Sequence, residues 1–133
     1  MTLADLRTDT VVLTCAISAG IHGALVPDHF REGTEAGIGF VVATALLAVL
    51  AVALTRNPSQ LGLVGTAAVF TGLIVSYALA VTTGVPVLHP DVEAVDGLAL
   101  FTKAIEIAGL ATAASLVRRP SLATLPQPRG TLT

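Results

Sequence analysis

Apolar residues in this chain fall into four long runs, separated by short polar breaks. The runs cover residues 8–26, 37–55, 61–83 and about 95–117. The second reads GIGFVVATALLAVLAVALT, and neither it nor the third contains a charged residue. A hydrocarbon core about 30 Å thick needs roughly 20 helical residues rising ~1.5 Å each. Soluble surface helices of that length carry a polar face. The pattern therefore predicts four transmembrane helices, at about 8–29, 36–56, 60–84 and 94–118. The fourth is the least apolar, because Lys103 and Glu106 lie inside it.

The breaks are short: residues 27–36, 56–60 and 84–94. Short connections favour antiparallel neighbours. The expected fold is thus all-α, an integral membrane up-down-up-down four-helix bundle. It occupies residues 1–119, and residues 120–133 form a flexible cytoplasmic tail. Arg7, Arg56, Arg118, Arg119 and Arg129 fall on one side of this topology and Arg31 on the other. The excess of basic residues marks the cytoplasmic side, which puts both termini in the cytoplasm of a multi-pass plasma-membrane protein. The first run has only Arg7 on its flank, between Asp5 and Asp9. It reads as a retained helix rather than a cleaved signal peptide, although Ser18-Ala19-Gly20 imitates a cleavage site.

Composition agrees. Hydrophobic residues make up 53% and charged residues 12%, against about 25% charged in soluble domains. The net charge of −2 leaves no basic footprint for nucleic acid. The single cysteine, Cys15, rules out an intrachain disulfide and a Cys-rich zinc motif. Small residues recur every fourth position at Ala68, Gly72, Ser76 and Ala80, and at Cys15, Ala19 and Gly23. Such spacing lets helix backbones approach closely in lipid, so both stripes are expected at helix contacts.

Orientation gathers the polar residues. His22, His29 and His89 all fall at or near the outer face, among Asp28, Glu32, Glu35, Asp91, Glu93 and Asp96. Imidazole and carboxylate together suit copper, zinc or iron, so His22, His29, Glu32, His89 and Glu106 form a candidate metal set. Their spacing matches no tight motif such as His-Glu-x-x-His, and the bland reading is a hydrogen-bonded His22 with solvated loop residues. Haem does not fit, because only His22 lies in the membrane. Asp96, Lys103 and Glu106 share one stripe of the fourth helix and, with Tyr77, form a candidate intramembrane polar network. Lys103 and Glu106 can pair at i,i+3. The bland reading there is mutual neutralisation; the functional one is that intramembrane charge marks working sites. Cys15 reads as a packing residue. No phosphate loop and no Ser-His-Asp set can be read, so no enzyme activity is assigned.

The stretch Ile21-His22-Gly23-Ala24-Leu25-Val26-Pro27-Asp28-His29-Phe30-Arg31-Glu32 resembles a motif of small uncharacterised actinobacterial membrane proteins. These have a histidine near the end of the first helix and then a Pro-acid-His-Phe-x-Glu segment. The resemblance spans nearly the whole chain and includes Gly84-Val85-Pro86 and the acidic Glu106. It implies a four-helix membrane fold, no particular activity, and His22, His29, Glu32 and Glu106 as residues to watch. Asp28 stands where the group carries Glu.

Three functions fit these features. The first is a metal-binding or redox-linked membrane protein with its site in the outer half of the bundle. The second is a non-catalytic accessory subunit of a larger membrane complex. The third is a small transporter acting as a homo-oligomer. Small multidrug transporters also have four helices and one intramembrane carboxylate, but theirs lies on the first helix and Glu106 is on the fourth. In every case the bilayer is the first partner.

Overall fold

The structure is a computed structural model that describes residues 2–85 and 92–117. The chain is all-helical there, with four helices, each long and apolar enough to span a membrane. His89, the Arg118–Arg119 pair and the 120–133 segment lie outside the described residues.

Helix α1 (Leu3–Glu32) starts earlier than its apolar run, because a capping box sets its first turn. The Thr2 hydroxyl accepts the Asp5 N–H at 3.2 Å, and the Asp5 carboxylate accepts the Thr2 N–H at 2.7 Å. Reciprocal bonds of this kind satisfy N–H groups that the first turn leaves open. The helix runs through Pro27, whose ring holds a helical φ but lacks the N–H that would reach the Gly23 carbonyl.

Gly33 alone separates α1 from α2 (Thr34–Arg56). The tight hairpin is filled by Phe30, whose ring lies over Gly37: a Cβ there would sit 2.4 Å from the ring. Helix α3 (Gln60–Ala80) opens on Ser59, whose hydroxyl accepts the Gly62 N–H at 3.1 Å. It ends at Ala80 rather than near residue 84. The Thr82 and Thr83 hydroxyls donate to the Ala78 and Leu79 carbonyls, competing for helix acceptors, and Gly84 then takes a positive φ of 71°, open to glycine. Helix α4 (Gly97–Leu116) begins after Asp96, whose carboxylate accepts the Ala99 N–H at 2.8 Å.

The helices close into a ring. α1 packs on α2 and α4, and α3 packs on α4 and α2. Val11, Cys15, Leu47, Leu54, Leu63, Phe70 and Ala113 are buried in one continuous core. Gly109 lets α4 approach closest: a Cβ there would meet the Phe70 ring at 2.4 Å and the Thr14 hydroxyl at 2.6 Å. The outward faces are hydrocarbon, including Val42, Leu46, Val49, Val52 and Val75, all at least half exposed or nearly so. A surface of this kind suits contact with a lipid bilayer.

The small-residue stripes divide. On α1, Cys15 and Ala19 are buried, and a Cβ at Gly23 would touch the Thr44 side chain at 3.3 Å, so this stripe is a contact face. On α3, Ala68, Gly72 and Ser76 are exposed and only Ala80 is buried. The expected α3 contact through small residues is corrected: α3 turns Leu63, Thr66 and Phe70 inward instead. Large side chains at these positions fill space that a close glycine-lined crossing would have removed.

Candidate functional site

Glu106 is wholly buried in the bundle. Lys103 Nζ, one turn earlier on α4, donates to its Oε2. The Ser18 hydroxyl of α1 donates to its Oε1 at 2.9 Å. An unpaired carboxylate in lipid is costly; here both oxygens carry donors, which is what a buried charge requires. Lys103 Nζ also lies 3.4 Å from the Leu73 carbonyl and 5.4 Å from the centre of the Tyr77 ring, within range of a cation–π contact.

His22 continues this network on α1 and is buried. Its Nδ1 lies 2.9 Å from the Ser18 carbonyl oxygen. A carbonyl only accepts, so Nδ1 carries the proton. In the neutral ring the lone pair is then on Nε2, which faces Glu106 Oε1 at 3.8 Å, beyond hydrogen-bond distance. His29 repeats the arrangement two turns later. Its Nδ1–H donates to the Leu25 carbonyl at 3.0 Å, and Nε2 faces Glu32 Oε2 at 3.9 Å. Phe40 of α2 touches both imidazoles: its ring stacks on His29 with centroids 3.5 Å apart and lies 5.2 Å from His22 at a tilt.

These groups reach a partly open cavity of about 710 Å³ at the Gly33 end of the bundle. Its walls come from the C-terminal halves of α1 and α3 and the N-terminal halves of α2 and α4. The walls are mostly apolar, from Ile21, Leu25, Ala43, Leu73, Leu98 and others, and the polar groups are His22, His29, Lys103, Tyr77, Ser76, Thr102 and four carboxylates. Glu106 is not in the lining and sits behind Lys103 and His22. The Tyr77 hydroxyl is buried and has no hydrogen-bond partner among the described residues.

The residues expected at the site are therefore distributed as follows. His22, Lys103 and Glu106 come together, with Tyr77 against Lys103. His29 and Glu32 form a second pair on the same cavity. Asp96 is at the exposed rim, where it caps α4. His89 lies outside the described residues. Among the described residues, no three His, Cys, Asp or Glu side chains converge as a metal-ligand set. Cys15 is buried in the apolar core, away from the cavity lining.

Sequence reasoning missed Ser18 and Phe40. Ser18 had a signal: Thr14, Ser18 and His22 stand at spacings of four on an otherwise apolar helix, and all three are buried. A polar stripe at helical period points to polar partners on another helix. Phe40 had none, because one aromatic in an apolar run is the ordinary case.

No protein-family model, no curated protein and no solved structure matches the chain.

Proposed function

We propose that the protein is a multi-pass plasma-membrane protein that binds a small amphipathic molecule in the cavity at the Gly33 end of its bundle. The observation that carries this reading is the joining of an apolar cavity to a buried, fully paired ionic network at Lys103 and Glu106. Small-molecule sites are concave, mostly apolar, and hold a few convergent polar groups. A buried ion pair is weak as a source of stability, since apolar side chains of similar volume often do as well. Ionisable groups inside a membrane instead mark working sites. The unpartnered Tyr77 hydroxyl adds a donor that a ligand would satisfy.

In this reading the bundle runs up-down-up-down with both termini in the cytoplasm, and the cavity opens on the outer side. Arg7 and Arg56 at the opposite end, against Arg31 beside the cavity, support that orientation.

Tyr77 is the only tyrosine and there is no tryptophan, so it reports on the cavity alone. Fluorotyrosine incorporation gives one ¹⁹F resonance there. In lipid nanodiscs, titration with dodecyl amphiphiles carrying positive, neutral or negative heads is expected to shift that resonance saturably for at least one head. No saturable shift with any of the three would sink the proposal.

A second reading rests on the imidazoles. His22 and His29 each donate Nδ1–H to a backbone carbonyl and turn Nε2 toward a carboxylate, the orientation that outer-shell bonds give to metal-binding histidines. The 3.9 Å separation at His29–Glu32 is about half an ångström wider than a tetrahedral ion with bonds of ~2.0–2.1 Å would leave. A copper, zinc or iron ion held there would use His29 and Glu32 and need further ligands. Purified protein would then contain stoichiometric metal that His29→Ala removes. Protein that stays metal-free through titration with all three ions ends this reading.

A further inference from the structure

We infer that the cavity takes an amphipathic organic cation, whose alkyl chain lies in an apolar groove on the outer face of α1 beside α4. The inference deepens the proposed ligand-binding function and rests on it.

The groove is a second, shallower depression of about 370 Å³. Every residue that lines it is apolar. Ile21, Leu25 and Leu98 line both the groove and the main cavity, so the two spaces adjoin on either side of these three side chains. Ala16, Gly20 and Ala24, at a spacing of four and each too small to fill it, form the rest of its α1 side with Ile17, and a Cβ at Gly20 would meet nothing within 4 Å. Ala16 to Ala24 is roughly 12 Å of helix, enough for a medium-length alkyl chain. A neighbouring helix would fill the groove but not the polar cavity beside it. An amphiphile that crosses the edge formed by Ile21, Leu25 and Leu98 would occupy both.

The sign of the head follows from the lining. Four carboxylates, Asp28, Glu32, Glu93 and Asp96, line the cavity with one ammonium, Lys103, whose charge Glu106 offsets. Arg31 at the rim offsets Asp28, so Glu32, Glu93 and Asp96 set the sign of the wall. A cationic head is attracted to such a wall and an anionic head repelled.

The test uses the full chain in zwitterionic nanodiscs, read by the Tyr77 fluorotyrosine resonance. The probes are dodecyl-triphenylphosphonium, methyl-triphenylphosphonium, dodecanol and dodecyl sulfate. Dodecyl-triphenylphosphonium is expected to bind tightest. The Glu32→Gln, Asp96→Asn double variant keeps the α4 cap, since Asn caps as well as Asp. It is expected to weaken the long-chain cation about tenfold and leave dodecanol unchanged, in line with ~1.4 kcal/mol per decade. Gly20→Leu fills the groove at an exposed position and is expected to weaken the long-chain cation about tenfold while sparing the methyl form.

Equal affinity for all dodecyl heads, unmoved by the double variant, overturns the cation assignment and leaves the proposed function standing. An unchanged long-chain affinity in Gly20→Leu overturns the groove. Conversion of a dimer to a monomer by Gly20→Leu also overturns it, because the groove would then seat a second copy. No response to any probe removes both this inference and the function beneath it.

Discussion

Between Gly109 and the 57–59 connection, the helices meet through Val11, Cys15, Leu47, Leu54, Leu63, Phe70 and Ala113, with no charged side chain among them. Between Ser18 and Gly33, the same four helices meet through a buried carboxylate, an ammonium, a hydroxyl and an imidazole, and leave a cavity of about 710 Å³. In lipid there is little hydrophobic force between helices, so association depends on close packing and on interhelical polar bonds. The first half uses packing: Gly109 brings α4 so near that the Phe70 ring occupies the place of a Cβ. The second half adds bonds: Ser18 on α1 reaches Glu106 on α4, and both are wholly buried behind the cavity. The open half is thus held by the same polar groups that line or back its cavity, and the packed half by apolar contact.

This division is broken most directly at Lys103. Lys103→Met leaves Glu106 buried with one donor in place of two, and breaking a buried pair costs about 3–5 kcal/mol. The double variant Lys103→Met, Glu106→Leu removes both charges and is expected to recover most of that loss. Unfolding in mixed micelles measures both. A single variant no less stable than the double would mean that the ion pair does not hold the open half.

The packed half answers to volume rather than charge. Gly109→Ala forces the Phe70 ring or the Thr14 side chain aside, and overpacking costs roughly 1–3 kcal/mol. Gly20→Ala, also within a helix but facing open space, is expected to gain up to about 1 kcal/mol from helix propensity. The same unfolding assay compares the two. Equal effects would show that the tightness at Gly109 is not a feature of the folded bundle.

The second and third helices were legible as about twenty apolar residues without charge, and the first and fourth as runs of similar length that stay apolar despite Asp9, Lys103 and Glu106. The Lys103–Glu106 pair was legible for a local reason, since residues three apart share a helix face. The start of α1 was present in Thr2-Leu3-Ala4-Asp5 as a capping pattern, but the apolar run drew attention away from it. The bond from Ser18 to Glu106 joins residues 88 positions apart. It depends on how far each helix is rotated about its axis, which side-chain packing sets and single-helix periodicity does not. The same rotation explains α3, where Ala68, Gly72 and Ser76 suggested a contact and Leu63, Thr66 and Phe70 make it.

The smallest expected effect lies at Tyr77, where the two halves are best told apart. Its ring sits against Lys103, while its hydroxyl is buried without a partner among the described residues. Tyr77→Phe keeps the ring, and with it the cation–π contact, and removes only the hydroxyl. A buried hydroxyl that makes no bond carries a desolvation cost and returns nothing, so stability should stay level or rise by less than about 1 kcal/mol. Binding of an alkylammonium amphiphile should move the other way, because a head that donates to this hydroxyl oxygen loses a bond when it is removed. The comparison is made by unfolding in mixed micelles and by direct binding of radiolabelled amphiphile in nanodiscs. Unchanged or higher stability with weaker binding identifies a polar group kept for a ligand. Lower stability with unchanged binding would make Tyr77 a structural member of the ionic network, and the contrast between a packed half and a working half would lose its clearest support.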